Sequence, residues 1–166
     1  VLDNVKIACT KDIGYNFLDT VLRTPRYWRI EEEITEKALD HLRIVHLEKK
    51  ADVIASALPY GEQRKLEIAR ALATDMKLLL LDEPAAGMNP TETAELLSCL
   101  NVIQNRFRIG ILLIEHDMSL VMNVCETIQV INFGLTIASG RPDEIVNNPL
   151  VIEAYLGEEA DDDVEN

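Results

Sequence analysis

The stretch from Leu78 to Pro84 constrains the fold most, because four consecutive leucines there run directly into Asp82 and Glu83. Four apolar residues are too few for a buried helix, but they suit a strand covered on both faces, as in a parallel sheet flanked by helices. The carboxylates follow at the strand's carboxyl end, the edge at which open parallel sheets bind ligands. There one carboxylate can hold a divalent cation through its waters, and its neighbour can orient or deprotonate an attacking water. The structural alternative is a buried strand that simply ends in solvated acids.

The composition excludes several classes of protein. A formal net charge of -13 on 166 residues leaves no basic stripe to neutralise nucleic-acid phosphates. The longest apolar runs fall well short of a membrane span. Cys9, Cys99 and Cys125 are odd in number and scattered, which favours reduced thiols in the cytoplasm over disulfides or a metal site. The acidic end, Glu158 to Asn166, is predicted to be a disordered tail.

The first third of the chain predicts helices only. Val1 to Ala8 is typical of a helix already under way, Asp12 to Gly14 of a loop, and Asn16 to Leu22 of a short helix. Thr24-Pro25 is an N-cap followed by proline at the first helical position. The helix that it starts is predicted to reach about Val45, with one apolar stripe formed by Ile30, Ile34, Ala38 and Leu42.

A second helix is predicted from about Glu62 to Thr74, after a Pro-Tyr-Gly turn that ends at Gly61. On this helix Leu66, Ala69, Arg70 and Ala73 are expected to share one side. The N-terminus of a helix presents unpaired N–H groups and partial positive charge, which suits a phosphate, and Gly61 allows a ligand or another backbone to come close. Taken alone, a helix that begins at a glycine is usually structural.

Strand and helix signals alternate after Leu78, which predicts a parallel α/β sheet. Asn89-Pro90-Thr91-Glu92 has the pattern of a helix start, and the helix should reach about Arg106. A second buried strand, Ile109 to Ile114, is followed by His116. If the two strands are neighbours, His116 could reach across the sheet edge to Glu83 or to a phosphate. A lone histidine after a strand is more often structural, but the two carboxylates and the phosphate-type helix start favour a functional role here. Shorter strands are predicted at Thr127 to Asn132 and Leu135 to Ala138.

The motifs together resemble the nucleotide-binding subunit of an ATP-binding cassette (ABC) transporter. The segment from Leu58 on, LPYGEQRKLEIARAL, is similar to the signature motif and its helix, LLLLDEP to Walker B, AAGMNP to the D-loop and IEHDM to the switch-histidine region. The branched-chain amino-acid importers are the most similar subfamily, through IEHDMSLVM, INFGLTIASGRPDEIVNNP and VIEAYLGE. The resemblance covers residues 1–157.

This resemblance implies an α/β fold, a P-loop NTPase-like ABC ATPase core with an α-helical subdomain. Residues 1–75 would form the helical subdomain with the signature helix, residues 76–157 the C-terminal half of the core, and residues 158–166 the tail. The cofactors would be ATP and Mg²⁺. The expected partners are a second ATP-binding subunit in a head-to-tail dimer, transmembrane permease subunits and, indirectly, an extracytoplasmic solute-binding protein. The subunit would be cytoplasmic and peripheral on the inner face of the plasma membrane.

The resemblance also implies roles for individual residues. Asp82 would help to hold Mg²⁺ through water, Glu83 would polarise the attacking water, and His116 would contact the γ-phosphate. The positions expected at the dimer interface are Gly61 and Glu62, whose amides would cap the γ-phosphate of the partner's ATP, and the D-loop residues Gly87 and Asn89. Asn89 suits a helix cap as well, and the two roles are compatible.

The sequence departs from the family pattern in two ways. The signature usually has serine where this chain has Pro59 and glycine where it has Tyr60, and Pro59 offers neither hydroxyl nor N–H. The seven glycines include no pair five positions apart, so GxxxxGK[ST] does not occur. These 166 residues are therefore expected to be the C-terminal portion of a longer subunit and to be inactive alone. The alternatives are a non-catalytic docking module and the ATPase of a system with another substrate, such as lipid export.

Overall fold

The computed structural model of the chain describes residues 1–10, 14 and 16–154. The chain divides into two compact units, residues 1–114 and 115–166. Most of the loop predicted around Asp12 and the whole acidic tail lie outside the described residues. The predicted functional boundary between residues 75 and 76 concerns the complete subunit and stays a prediction.

The first unit contains five α-helices among its described residues, and the sequence places most of their ends within two residues. They are α1 (Leu2–Cys9), α2 (Phe17–Leu22), α3 (Pro25–Ile44), α4 (Tyr60–Leu72) and α5 (Pro90–Phe107), with short 3-10 turns at Glu48–Lys50 and Ala55–Ala57. α3 starts as predicted, because the Thr24 hydroxyl accepts a hydrogen bond from the Tyr27 amide at 3.3 Å and proline occupies the first turn.

The apolar stripe of α3 faces the core of this unit. Ile34, Ala38 and Leu42 are buried, while Ile30 is partly buried. Ala38 and Leu42 of the stripe pack with buried residues of α1, α4 and α5 in one cluster. On α4, Leu66, Ala69 and Ala73 of the predicted side are buried, whereas Arg70 is exposed. The buried face also includes Lys65 and Ile68.

A buried histidine on α3 was not predicted. His41 is only 5% exposed and lies 5.9 Å from the Phe107 ring, centroid to centroid. Neither of its ring nitrogens has a hydrogen-bond partner. Burial lowers the pKa of His41 below its ordinary value, since the charged imidazolium loses its hydration.

The two strands of the first unit pair in parallel, as predicted. β1 (Leu78–Asp82) and β2 (Gly110–Ile114) run in register, with Leu79 opposite Ile111. The prediction that β1 is covered on both faces is wrong for this chain: Leu79 is buried in the core, but Leu78 and Leu80, on the other face, are 53% and 64% exposed. Four consecutive leucines allow a strand to be buried on both faces. Whether each face is covered depends on helices and strands from other parts of the sequence.

The second unit is built around an antiparallel hairpin. Its described elements are α6 (Met118–Val124), β3 (Ile128–Asn132), β4 (Leu135–Gly140), α7 (Pro142–Val146) and a helical segment at residues 149–154. β3 and β4 pair antiparallel, so the parallel arrangement predicted after Leu78 holds for β1 and β2 but not for this hairpin, where a turn at Gly134 was predicted between the two strands. The reason is the loop: Phe133 and Gly134, both at positive φ, form a two-residue turn, and parallel strands need a much longer crossover.

Among the residues that the structure describes, none of the helices combines the length and the apolar character that crossing a membrane requires.

Candidate functional site

The two predicted catalytic carboxylates lie where β1 ends. Asp82 is the last residue of the strand, opposite Ile114 of β2, and is exposed. Glu83 follows at φ 43, a conformation that non-glycine residues adopt rarely, and its amide donates to the Ile114 carbonyl at 2.9 Å. The Glu83 carbonyl in turn accepts from the Ala86 amide at 3.1 Å. β2 therefore fixes the backbone that carries both carboxylates.

His116 follows the end of β2 but belongs to the second unit. Its side chain is 77% exposed, and its Nδ1 lies 4.0 Å from the Glu115 carboxylate. The structure confirms that β1 and β2 are neighbours whose carboxyl ends meet at one edge. The expected approach of His116 to Glu83 stays a prediction.

α4, the helix of the signature region, begins at Tyr60, two residues earlier than predicted. Pro59 precedes it without a side-chain cap, and the amides of Glu62 and Gln63 both donate to the Pro59 carbonyl at 3.0 Å. The amides of Tyr60 and Gly61 come before these and have no carbonyl four residues earlier within the helix. The start of α4 thus has the unpaired donors that the prediction of a phosphate seat requires.

Gly61 is buried against the start of α5. A Cβ built on Gly61 would lie 3.1 Å from both Cδ and Oε1 of Glu92. Glycine at position 61 therefore leaves room for a carboxylate side chain of the same unit. This is a structural reason for glycine at this position, in addition to the predicted ligand contact.

Glu62 is already engaged by a cation. Both of its carboxylate oxygens lie 2.5 Å from Lys50 Nζ. This pair neutralises a negative charge at the helix start, so the carboxylate itself opposes an incoming phosphate less. The Gln63 side chain donates to the Leu58 carbonyl at 2.8 Å and so holds the turn that precedes α4.

The loop between β1 and α5 ends in a capping box. The Asn89 side chain accepts hydrogen bonds from the amides of Thr91 and Glu92, each at 3.0 Å, and the Glu92 carboxylate accepts from the Asn89 amide at 3.0 Å. This confirms the predicted helix start. Gly87 lies in the same loop at φ 74, a region in which any L side chain is strained.

The structure brings the signature helix and this loop together through a residue that the sequence analysis treated only as a departure. The Tyr60 ring lies beside Gly87, and a Cβ on Gly87 would be 3.6 Å from Tyr60 Cε1. The only signal in the sequence for this contact was an aromatic residue in place of the usual glycine. The contact itself could not be inferred, because Gly87 lies 27 positions after Tyr60 in the sequence.

The donor groups of this chain fit a magnesium ion only in part. Within residues 1–10, 14 and 16–154 there is no cluster of three or more His, Cys, Asp or Glu side chains that could hold a metal ion. The exposed carboxylate of Asp82 fits a single ligand, with water and phosphate oxygens as the others.

Cys9, Cys99 and Cys125 are free, and burial raises the pKa of each thiol.

The family relationships agree with the arrangement of these motifs. Residues 3–86 match the sequence model of the ABC transporter family, and residues 136–161 match a model described as branched-chain amino acid ATP-binding cassette transporter. The chain belongs to the ABC transporter family. Among curated relatives it is 44% identical, over 158 residues and 95% of its length, to the high-affinity branched-chain amino acid transport ATP-binding protein LivG of Salmonella typhimurium. It is also 44% identical, over 157 residues and 95% of its length, to the BraF protein of Pseudomonas aeruginosa with the same description.

The chain spans 62% of the length of these relatives. A solved ATP-binding cassette of an ABC transporter in its ADP conformation superposes with a TM-score of 0.73 at 31% identity, covering 94% of this chain and 62% of that one. The α/β fold of an ABC ATPase, expected from the motifs, is confirmed.

Proposed function

We propose that this chain carries the signature helix, Walker B strand, D-loop and switch histidine of the ATP-binding subunit of an importer for branched-chain or related amino acids. The observation that carries the proposal is the 44% identity to LivG and BraF over 95% of the chain. The match to the branched-chain model at residues 136–161 supports it independently, because that segment lies outside the catalytic motifs.

A different transported substrate is less well supported. The lipopolysaccharide export system ATP-binding protein LptB of Haemophilus influenzae is 35% identical over 131 residues, 79% of this chain. Both its identity and its coverage are lower than those of the amino-acid transport proteins, so the importer is favoured over lipid export.

In the proposed mechanism the two carboxylates at the end of β1 have different roles, one in metal binding and one in activating water. Asp82 would hold Mg²⁺ through water, and the bound ion would supply positive charge to the phosphates of ATP. Glu83 would orient and polarise the attacking water, and His116 would contact the γ-phosphate. The backbone hydrogen bond from Glu83 to β2 supports this assignment, because it fixes the backbone that carries the carboxylate directly after Asp82.

The partners follow from the same assignment. The helix start at Gly61 and Glu62 would face the nucleotide of a second ATP-binding subunit, with the Gly61 amide as the donor, because the Glu62 amide already donates to the Pro59 carbonyl. Gly87 and Asn89 would lie along the head-to-tail interface. Transmembrane permease subunits and an extracytoplasmic solute-binding protein would complete the importer, with this subunit peripheral on the cytoplasmic face of the plasma membrane.

The test of the catalytic assignment is Glu83→Gln in the complete subunit assembled with its permease in proteoliposomes. This change keeps the shape and removes the charge, so ATP turnover should fall by a factor on the order of 10²–10⁴ while ATP still binds. Glu153→Gln, at an exposed position in the segment 149–154, is the matched control and should turn over normally. Near-normal turnover of Glu83→Gln would move the catalytic role to another residue, with His116 the next candidate.

The test of the transported substrate uses the same proteoliposomes with the cognate solute-binding protein. ATP-driven accumulation of labelled leucine, isoleucine or valine is expected, and it should be lost in Glu83→Gln. ATP-driven extraction of a labelled lipid without amino-acid uptake would contradict the importer and support the export alternative.

A further inference from the structure

Tyr60 forms a contact between the first turn of α4 and the loop that leads from β1 to α5. Its ring lies against Gly87, at 3.6 Å from where a Cβ of that residue would stand, although the side chain is still 47% exposed. The backbone at the start of a helix does not by itself keep a half-exposed tyrosine ring out of solvent. A further side-chain interaction is therefore needed to stabilise the contact of the ring with Gly87.

Arg64, one helical turn further along α4, supplies that stabilisation. Its Nε and Nη2 both donate to the Tyr60 hydroxyl, at 3.0 and 2.8 Å, and its guanidinium carbon lies 5.1 Å from the centroid of the Tyr60 ring. The third nitrogen, Nη1, donates to the Glu67 carboxylate at 2.8 Å. Two donors on one hydroxyl and a cation over the ring favour the orientation in which the ring contacts Gly87.

The loop that Tyr60 touches needs such support. It contains two residues in the left-handed region, Glu83 at φ 43 and Gly87 at φ 74. The first is held by its hydrogen bond to the Ile114 carbonyl of β2. The second lies beside the Tyr60 ring. At Glu83, which is not glycine, such a conformation is strained and persists only where the surroundings determine it, whereas glycine adopts it freely at position 87.

We infer that Tyr60 is a positioning residue, which braces the loop of residues 83–89 against the start of α4 and so fixes the signature turn and the Glu83 carboxylate relative to each other. The inference rests on the proposed function for its effect on catalysis, but the brace itself is a property of this unit alone. The role belongs to the ring against Gly87, with Arg64 holding the ring, and it needs no contact between Tyr60 and nucleotide.

The direct test is amide hydrogen exchange of the complete subunit without nucleotide. In Tyr60→Ala the peptides that cover residues 83–89 should exchange about tenfold faster or more, because local opening costs less free energy when the ring is absent. Tyr60→Phe keeps the ring but loses both hydrogen bonds from Arg64, so these peptides should exchange at a rate between that of Tyr60→Ala and that of the unchanged protein. Glu67→Gln is the matched control, since it removes the other partner of Arg64 and leaves the contact with Gly87 intact.

The catalytic test is ATP turnover of the same variants in the assembled transporter. For Tyr60→Ala we expect kcat to fall about tenfold with little change in KM, since misplacement of a catalytic group affects the chemical step. Tyr60→Phe should recover at least half of the activity, and Glu67→Gln should be unaffected.

Two results would overturn the inference. Unchanged exchange at residues 83–89 in Tyr60→Ala would show that the ring does not brace the loop. Equal loss of turnover in Tyr60→Phe and Tyr60→Ala, with normal exchange in both, would show that the hydroxyl acts on the nucleotide instead. If Glu83→Gln turned over normally, the proposed function would fail, and the exchange measurement would still decide the question for Tyr60.

Discussion

Asn89 carries two proposed roles, a helix cap and a dimer contact, and substitution can separate them. In Asn89→Ala the amides of Thr91 and Glu92 lose their shared acceptor, each at 3.0 Å in the structure. Loss of an N-cap of this kind costs about 1 kcal/mol and at most about 2 kcal/mol of the free energy of unfolding. For a domain of this size, 1 kcal/mol corresponds to a decrease in Tm of about 2–4 °C.

Asn89→Asp is the matched variant, because aspartate caps a helix as well as asparagine does. Its free energy of unfolding should equal that of the unchanged subunit within a few tenths of a kcal/mol. The assay is urea denaturation of the complete, nucleotide-free subunit, followed by circular dichroism, together with ATP turnover in the assembled transporter. If Asn89 acts at the interface, Asn89→Asp should lower turnover at full stability, because the added charge enters a contact between subunits.

Equal destabilisation by Ala and Asp would refute the capping argument. Normal turnover of Asn89→Asp would remove the interface role and leave Asn89 as a cap alone.

Two further predictions concern His41 and the phosphate site. Burial holds the pKa of His41 in the folded state below its ordinary value of 6.5, so just below pH 6.5 the unfolded chain binds more protons than the folded chain does. The free energy of unfolding should therefore fall as the pH drops from above 6.5 towards the pKa of His41 in the folded state. His41→Leu should flatten this acid-side slope in denaturation curves, and an unchanged slope would assign it to other groups. These 166 residues contain no GxxxxGK[ST], and their net charge of -13 opposes a polyphosphate, so calorimetric titration with ATP·Mg²⁺ should detect no tight binding. Micromolar affinity would reveal a phosphate site outside the known motifs.

The parts of the fold that sequence predicted well are those fixed by local chemistry. The starts of α3 and α5 were correct because Thr24 and Asn89 are caps whose partners lie within three residues. The pairing of β1 with β2 was correct because two apolar runs separated by a helix suit a parallel crossover unit.

The parts that were missed depend on distant partners. The exposure of Leu78 and Leu80 reflects which elements cover the sheet, and the burial of His41 reflects its contact with Phe107 on α5. In the candidate site, the positions of Asp82, Glu83 and Asn89 followed from strand and helix ends. The contact of Tyr60 with Gly87 required the tertiary structure, because the sequence alone showed only that an aromatic residue replaces a glycine.

The packing of Gly61 against Glu92 restricts how the protein can diverge. A methyl group at position 61 would lie 3.1 Å from the Glu92 carboxylate, which would have to move by a few tenths of an ångström, and a larger side chain would need more room. In homologues we therefore expect the two positions to vary together, with any side chain at position 61 accompanied by a shorter residue at position 92. Such a shorter residue would give up the reciprocal half of the α5 capping box. The glycine of the signature turn is thus constrained from inside its own subunit, before any contact with the nucleotide of a partner is considered.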